Sequence, residues 1–240
     1  MSSPGEWYNT LPPVSKAFGT FCLLTTAGYH LGLVNWQYIS LNYDLVVKNL
    51  QIWRLFTNFF FLGPFSINFA IRLLMIARYG VQVERGPYDR RTADFLWMMI
   101  FGALSLLVFS LVPALRSYFM GRSLVFMLPY IWAREFPDAQ VNISGLFNVK
   151  GFYLPWVMLA LNVIFGSPLL PDLMGIIVGH LYYFLAELHP RAGGKNLLKT
   201  PNWVHKLVAL WDVGPQGHRP VEPAATTGTA FRGRSYRLGR

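Results

Sequence analysis

Two short segments of this 240-residue chain hold the side chains best suited to chemistry. Gly121-Arg122-Ser123-Leu124 offers a serine hydroxyl, and Gly175-Ile176-Ile177-Val178-Gly179-His180 offers an imidazole that could act as its base. A serine nucleophile needs a base within hydrogen-bond reach and donors for the oxyanion it creates. Both segments sit in apolar surroundings, so the reaction would be hydrolysis inside a membrane. Two features oppose it. Leu124 crowds the position next to the serine, where a backbone must come close, and serine at a helix start is an ordinary cap. His180 has its own alternatives. It shares a helix face with Tyr183 and Glu187, so it reads as a buried histidine bonded to a neighbouring helix or as part of a hydrated cavity. No second His, Cys or carboxylate stands beside it at ligand spacing, so no metal is expected.

The elements that would position these groups are apolar. Hydrophobic residues make up 53% of the chain and charged residues 13%, more apolar surface than one soluble core of this length needs. Six stretches are candidate spans: Ala17 to Trp36, Leu55 to Ala77, Phe95 to Leu115, Tyr118 to Ala133, Phe152 to Phe165 and Leu173 to Leu188. No small-residue cleavage signal follows the first, which reads as a retained signal anchor. The fifth is short between Gly151 and Gly166-Ser167-Pro168, so the bilayer must thin there or the helix ends must reach through the interface. Asn58, Gly63-Pro64, Asn68 and Arg72 interrupt the second. They predict either a kinked helix inside a bundle or a hydrated groove beside it. Gly175 and Gly179, four apart, allow close approach of another helix, and packing against the second or fourth span is favoured over dimerisation.

Charge sets the orientation. With the amino terminus in the cytosol, sixteen of the twenty-one Lys and Arg residues fall on the cytosolic side, four fall opposite, and Arg72 lies within a span. The positive-inside rule therefore places both termini in the cytosol, which keeps the sequon Asn142-Ile143-Ser144 away from glycosylation. The net charge of +10 is concentrated in the stretch from Arg191 to Arg240. A basic tail beside a span reads as attraction to anionic lipid rather than nucleic-acid binding. Cys22 is the single cysteine, which excludes an intrachain disulfide.

The connection from Asn35 to Arg54 is too polar to cross yet rich in aromatic and aliphatic residues, as interfacial segments are. Trp53-Arg54 at its end reads as a boundary anchor. Trp203 to Trp211 could form an amphipathic helix on the membrane. Beyond Gly214 the Pro, Ala, Thr and Gly content cannot build a core, and disorder is expected. Phe231-Arg232-Gly233-Arg234-Ser235-Tyr236-Arg237-Leu238-Gly239 stands out within it as a partner motif. An extended peptide of this kind can add to a sheet edge, its large side chains in pockets.

Five segments together carry a resemblance: Glu6-Trp7-Tyr8-Asn9-Thr10-Leu11-Pro12, Ile52-Trp53-Arg54, Arg90-Arg91-Thr92-Ala93-Asp94-Phe95-Leu96, Tyr153-Leu154-Pro155-Trp156-Val157 and Gly179-His180-Leu181-Tyr182-Tyr183-Phe184. Over nearly its whole length the chain resembles the Derlin family, the rhomboid-like pseudoproteases of the endoplasmic reticulum. Rhomboid proteases carry Gly-x-Ser-Gly, from which Leu124 departs. The resemblance implies an all-α membrane protein, a six-helix rhomboid-like bundle with an interfacial loop between spans 1 and 2. Residues 1–16 would form a cytosolic segment, 17–189 the transmembrane domain, 190–213 a juxtamembrane segment and 214–240 a disordered cytosolic tail.

It further implies a non-enzymatic part in endoplasmic-reticulum-associated degradation, in which misfolded client proteins pass through the lipid bilayer to a membrane ubiquitin-ligase complex. Trp53 and Arg54 match the family's loop motif and Gly175 and Gly179 its sixth-span glycine motif, both tied to retrotranslocation. Phe231, Gly233, Tyr236, Arg237, Leu238 and Gly239 match the tail motif for the AAA ATPase called valosin-containing protein, although Arg234 and Ser235 stand where many members have a further glycine. The expected mechanism is local membrane thinning and a lateral groove wetted by Asn58, Asn68, Arg72 and His180. The chain would act alone, as a homo-oligomer or within a hetero-oligomer. No cofactor and no nucleic-acid partner are expected, and no Gly-x-x-x-x-Gly-Lys-Ser/Thr sequence is present to bind nucleotide. The competing reading is an intramembrane rhomboid serine protease using Ser123 and His180; a transporter built from two related halves lacks the internal repeat it requires.

Overall fold

The computed structural model describes residues 4–143, 147–195 and 197–211, and nearly all of its regular structure is helical. Helix α1 (Pro4–Thr10) precedes α2 (Pro13–His30), which starts on a proline because the first-turn amide has no intrahelical acceptor to lose. Two short helices follow, α3 (Trp36–Ile39) and α4 (Tyr43–Lys48), each opened by an asparagine cap whose side chain accepts from the first-turn amides. Then come α5 (Arg54–Thr57), α6 (Ile67–Met75), a π turn over Ile76–Gly80, and α7 (Val81–Arg85).

The expected continuous span from Leu55 to Ala77 is therefore broken. Asn58 ends α5 by donating to the carbonyls of Arg54 and Leu55, Gly63 takes φ +114°, and Pro64 cannot continue a helix. Ser66 restarts it, accepting from the Phe69 amide.

Beyond lie α8 (Thr92–Phe109), α9 (Gly121–Glu135), an antiparallel hairpin of β1 (Gln140–Ile143) and β2 (Phe147–Lys150), then α10 (Leu154–Ile164) and α11 (Leu169–Tyr183). A second π turn, Phe184–Leu188, joins α11 to α12 (His189–Arg191), and α13 (Asn202–Trp211) closes the described chain. Leu169–Arg191 is one continuous helical run of 23 residues, longer than the sixth apolar stretch suggests. Pro171 and Asp172 sit in its first turn, where neither residue type interrupts a hydrogen bond.

Every residue from Ser123 to Ala133 is buried, so α9 is the axis of the molecule, apolar all round and enclosed all round. The helices around it show the reverse. Phe21 and Leu24 of α2, Leu74 of α6, Leu104 and Val108 of α8, Trp156 and Ile164 of α10, and Ile177 of α11 face outward and exposed. Thr92–Phe109 and Leu169–Arg191 are long and apolar enough to cross a membrane, and an apolar outer surface of this extent suits lipid rather than water. Helix α13 folds back onto α8, with Trp203 edge-on to Trp97 and Val204 fully buried.

Candidate functional site

Ser123 and His180 form no dyad. The Ser123 hydroxyl is buried without a hydrogen-bond partner among the described residues. His180 Nδ1 lies 2.7 Å from the hydroxyl of Tyr130, which accepts from Arg134 Nε at 3.0 Å. The Tyr130 hydroxyl thus links His180 to Arg134 and not to Ser123. The two helices set this register. Gly175 packs at the level of Ser123 and Gly179 at the level of Tyr130. His180 is five residues past Gly175, about 7.5 Å further along the axis. Among the described residues no three His, Cys, Asp or Glu side chains gather to hold a metal.

The two glycines make the seam between α11 and α9. A Cβ at Gly175 would sit 2.5 Å from the Ser123 carbonyl oxygen and 2.8 Å from Phe126 Cβ; one at Gly179 would sit 2.7 Å from Tyr130 Cδ1. The first obstacle is backbone and cannot step aside. The small-xxx-small spacing is thus used inside the molecule, against the fourth apolar stretch.

Trp53 and Arg54 are neighbours with opposite fates. Trp53 is 51% exposed and joins Leu50, Ile52 and Phe56 on an outward apolar face. Arg54 is 3% exposed. Its guanidinium donates to Gln51 Oε1 and to the carbonyl oxygens of Gln37 and Ser40, tying the connection from α3 to α5 into one unit. Asn58 extends that unit to α9, its Oδ1 accepting from the Met120 amide at 3.3 Å.

Asn68 and Arg72 converge with residues that no motif singles out. Arg72, 5% exposed, donates to the Leu62 carbonyl at 2.9 Å and to Ser167 Oγ at 3.0 Å. Asn68 Nδ2 donates to the Phe165 carbonyl at 3.1 Å. Arg122 and Asp172 lie close enough for their charges to act on Arg72, and Asp172 Oδ2 accepts from Asn162 at 2.8 Å. Asn58, Asn68 and Arg72 thus occupy the end where α9 begins, and His180 lies toward the other. Arg122, Asp172 and Asn162 carry no motif. The only signal for them was the presence of polar residues at the ends of apolar stretches, where a solvated position is the default reading.

The opposite end is closed by charge. Glu84, 3% exposed and beyond the second apolar stretch, accepts from the Val14 amide at 3.0 Å and the Ser15 amide at 2.8 Å. It caps α2 in place of Pro12, which has no side-chain acceptor. Burial pushes its carboxyl above the usual carboxylate range, against the opposing pull of the bonds from Ser15 and Val14. Arg85 donates to the Thr10 carbonyl beside it.

The geometry defines a mostly helical, membrane-type protein in which Ser123 and His180 form no dyad. The family model described as "Der1-like family" matches residues 11–202. The chain is 61% identical to Derlin-1.2 of Zea mays over 243 residues and 61% identical to Derlin-1 of Oryza sativa subsp. japonica over 242, covering 100% of both chains in each case. It is 58% identical to Derlin-1 of Arabidopsis thaliana over 264 residues, covering 99% of both. The chain belongs to the Derlin family. As such it is a non-catalytic pseudoprotease of endoplasmic-reticulum-associated degradation, resident in the endoplasmic reticulum membrane. The tail residues Phe231, Gly233, Tyr236, Arg237, Leu238 and Gly239 lie outside the described residues.

Proposed function

We propose that the chain assists retrotranslocation of misfolded proteins by thinning the bilayer beside α10 and opening a polar path at the end of the bundle where α9 begins. The observation that carries this reading is the length of α10. With the 3-10 turn Gly151–Tyr153 that leads into it, the helical run Gly151–Ile164 rises only about 21 Å, against the roughly 30 Å of hydrocarbon that an ordinary span must cross. Trp156, Val163 and Ile164 face outward from it, so lipid meets this short wall directly. A bilayer shortened to match lowers the cost of moving unsatisfied backbone groups, several kcal/mol each in hydrocarbon, across it.

Six spans serve this reading: α2, α6 with the π turn that follows it, α8, α9, α10 and α11, in a rhomboid-like bundle with both termini cytosolic. The segment from α3 to α5 then lies in the lumenal interface, with Trp53, Ile52 and Phe56 dipped into lipid and Arg54 holding its shape. Asn68 and Arg72 line the lumenal mouth of the groove, Asn58 braces it, and His180 lies deeper along α11. The basic tail recruits the valosin-containing AAA ATPase, which supplies the pull, and a membrane ubiquitin-ligase complex marks the client in between.

Deleting residues 231–239 tests the division of labour. Co-purification with the ATPase is lost while the membrane domain keeps its melting temperature. Undiminished recruitment would contradict it.

A further inference from the structure

The end of the bundle where α9 begins carries more positive charge than it can answer. Arg72 and Arg122 approach the same point of the backbone: a Cβ at Gly63 would lie 3.3 Å from Arg122 Nη2 and 3.7 Å from Arg72 Nη1. One carboxylate, Asp172, acts on both, but it is bonded to Asn162 and makes no ion-pair contact with either arginine. Arg72 spends two of its nitrogens on Leu62 and Ser167, and its Nε is buried with no partner among the described residues. The Nε of Arg122 is buried and unpartnered in the same way, as is the Ser123 hydroxyl one residue on. Met120, which opens α9, makes no side-chain cap bond of its own. A guanidinium as buried as that of Arg72, with no ion pair of its own, is a costly arrangement. Here donors gather and an acceptor is missing.

We infer that Arg72 and Arg122 together bind a phosphate group, that of a phospholipid in the leaflet at this end of the bundle. Guanidinium donors match phosphate oxygens in geometry and charge, and two of them outweigh the single carboxylate. Depth favours a lipid as the source. Arg72 lies five residues inside the helix that begins at Ile67, about 7.5 Å below its end, and Asp172 three residues inside α11. Exposed Phe65, Ile67, Ile164, Phe165 and Leu169 surround the mouth and offer acyl chains a surface. Arg122 is only half-buried and provides the way in. The inference rests on the thinning reading and deepens it. A headgroup held a turn below the helix ends, beside α10, draws its leaflet inward.

Native mass spectrometry of the full chain, released into detergent from phosphatidylcholine nanodiscs, tests the site. One phospholipid per chain is expected to survive release. Arg122→Gln and Arg72→Gln each lower its occupancy about tenfold, and Arg122→Lys lowers it less. Melting temperatures in detergent separate lost binding from lost folding, and Arg122→Gln, at the half-buried position, carries the test if the Arg72 variant fails to fold. In a second arm, delipidated protein is melted with inorganic phosphate, with short-chain phosphatidylcholine, or with a peptide ending in a free carboxylate. Stabilisation by the phosphatidylcholine that Arg122→Gln abolishes supports the lipid. Stabilisation by inorganic phosphate alone overturns the lipid source, stabilisation by the peptide alone overturns the phosphate, and equal retention in wild type and both glutamine variants overturns the site. Neither arm contains client or ATPase, so failure here leaves the tail deletion to judge retrotranslocation separately.

Discussion

The two ends of α9 are built on opposite rules. Where the helix finishes, polar groups are answered: Tyr130 by His180 and Arg134, Glu84 by the amides that open α2, Tyr88 by Tyr182 at 3.0 Å, and Asp94 by Arg91 and Thr200. The atoms left over there are neutral, the Ser15 hydroxyl and the ring nitrogens of Trp97 and Trp132. Where the helix begins, the atoms left over are Arg72 Nε, Arg122 Nε, Ser123 Oγ and Asn68 Oδ1, two of them on cations. One end is a finished scaffold. The other keeps unsatisfied polar groups facing a short helix, which costs stability and makes sense only where something else arrives to meet them.

The largest expected effect falls on the seam that holds the two ends in register. Gly175→Leu drives a side chain into the Ser123 carbonyl, a backbone group that cannot yield, and costs more than about 3 kcal/mol. Fluorescence-detected size exclusion should lose the monodisperse peak. A tolerated leucine would mean that the α9–α11 contact is looser than its geometry.

Arg54 and Trp53 sharpen the contrast within a single pair. Arg54→Ala leaves three acceptors without their donor and costs about 2–3 kcal/mol, read as a lower melting temperature. Trp53→Ala, at an exposed site, changes stability by less than about 0.5 kcal/mol while weakening client flux through the lost lipid contact. Equal melting shifts in the two variants would erase the distinction between brace and anchor.

The smallest effect belongs to the scaffold end. Burial raises the Glu84 carboxyl above its unfolded value, so the folded chain holds that proton more tightly than the unfolded one. Stability from this group is therefore greatest at low pH and falls as pH rises from the ordinary carboxylate range, about 4.3, up through the folded value. Glu84→Gln flattens that dependence in melts taken from about pH 4.5 to 7. An unchanged slope would show that Glu84 is not the group responsible.

Much of the architecture was legible because hydropathy and charge speak loudly in a membrane protein. The apolar stretches and the use of Gly175 and Gly179 against the second or fourth span follow from spacing, whereas the packing of α13 on α8 through Trp203 was not visible in the amphipathic pattern of Trp203 to Trp211. The break between α5 and α6 was marked by Gly63-Pro64 but outvoted by the apolar residues on both sides. The hairpin from Gln140 to Lys150 was missed because strands of four residues lack a period long enough to stand out. Arg54 read as a boundary anchor because sequence gives no exposure; the carbonyls that bury it come from seventeen and fourteen residues earlier. Arg122 and Asp172 stayed silent for a similar reason. Their meaning lies in a convergence of three helices that no local pattern records.

Bilayer thickness around the full chain in a phosphatidylcholine nanodisc, measured by cryo-electron microscopy, tests the central claim most directly. The headgroup layers should approach each other beside α10, to a hydrocarbon depth near the roughly 21 Å of the run Gly151–Ile164, and recover toward about 30 Å on the side of α8. Uniform depth around the whole perimeter would contradict the account.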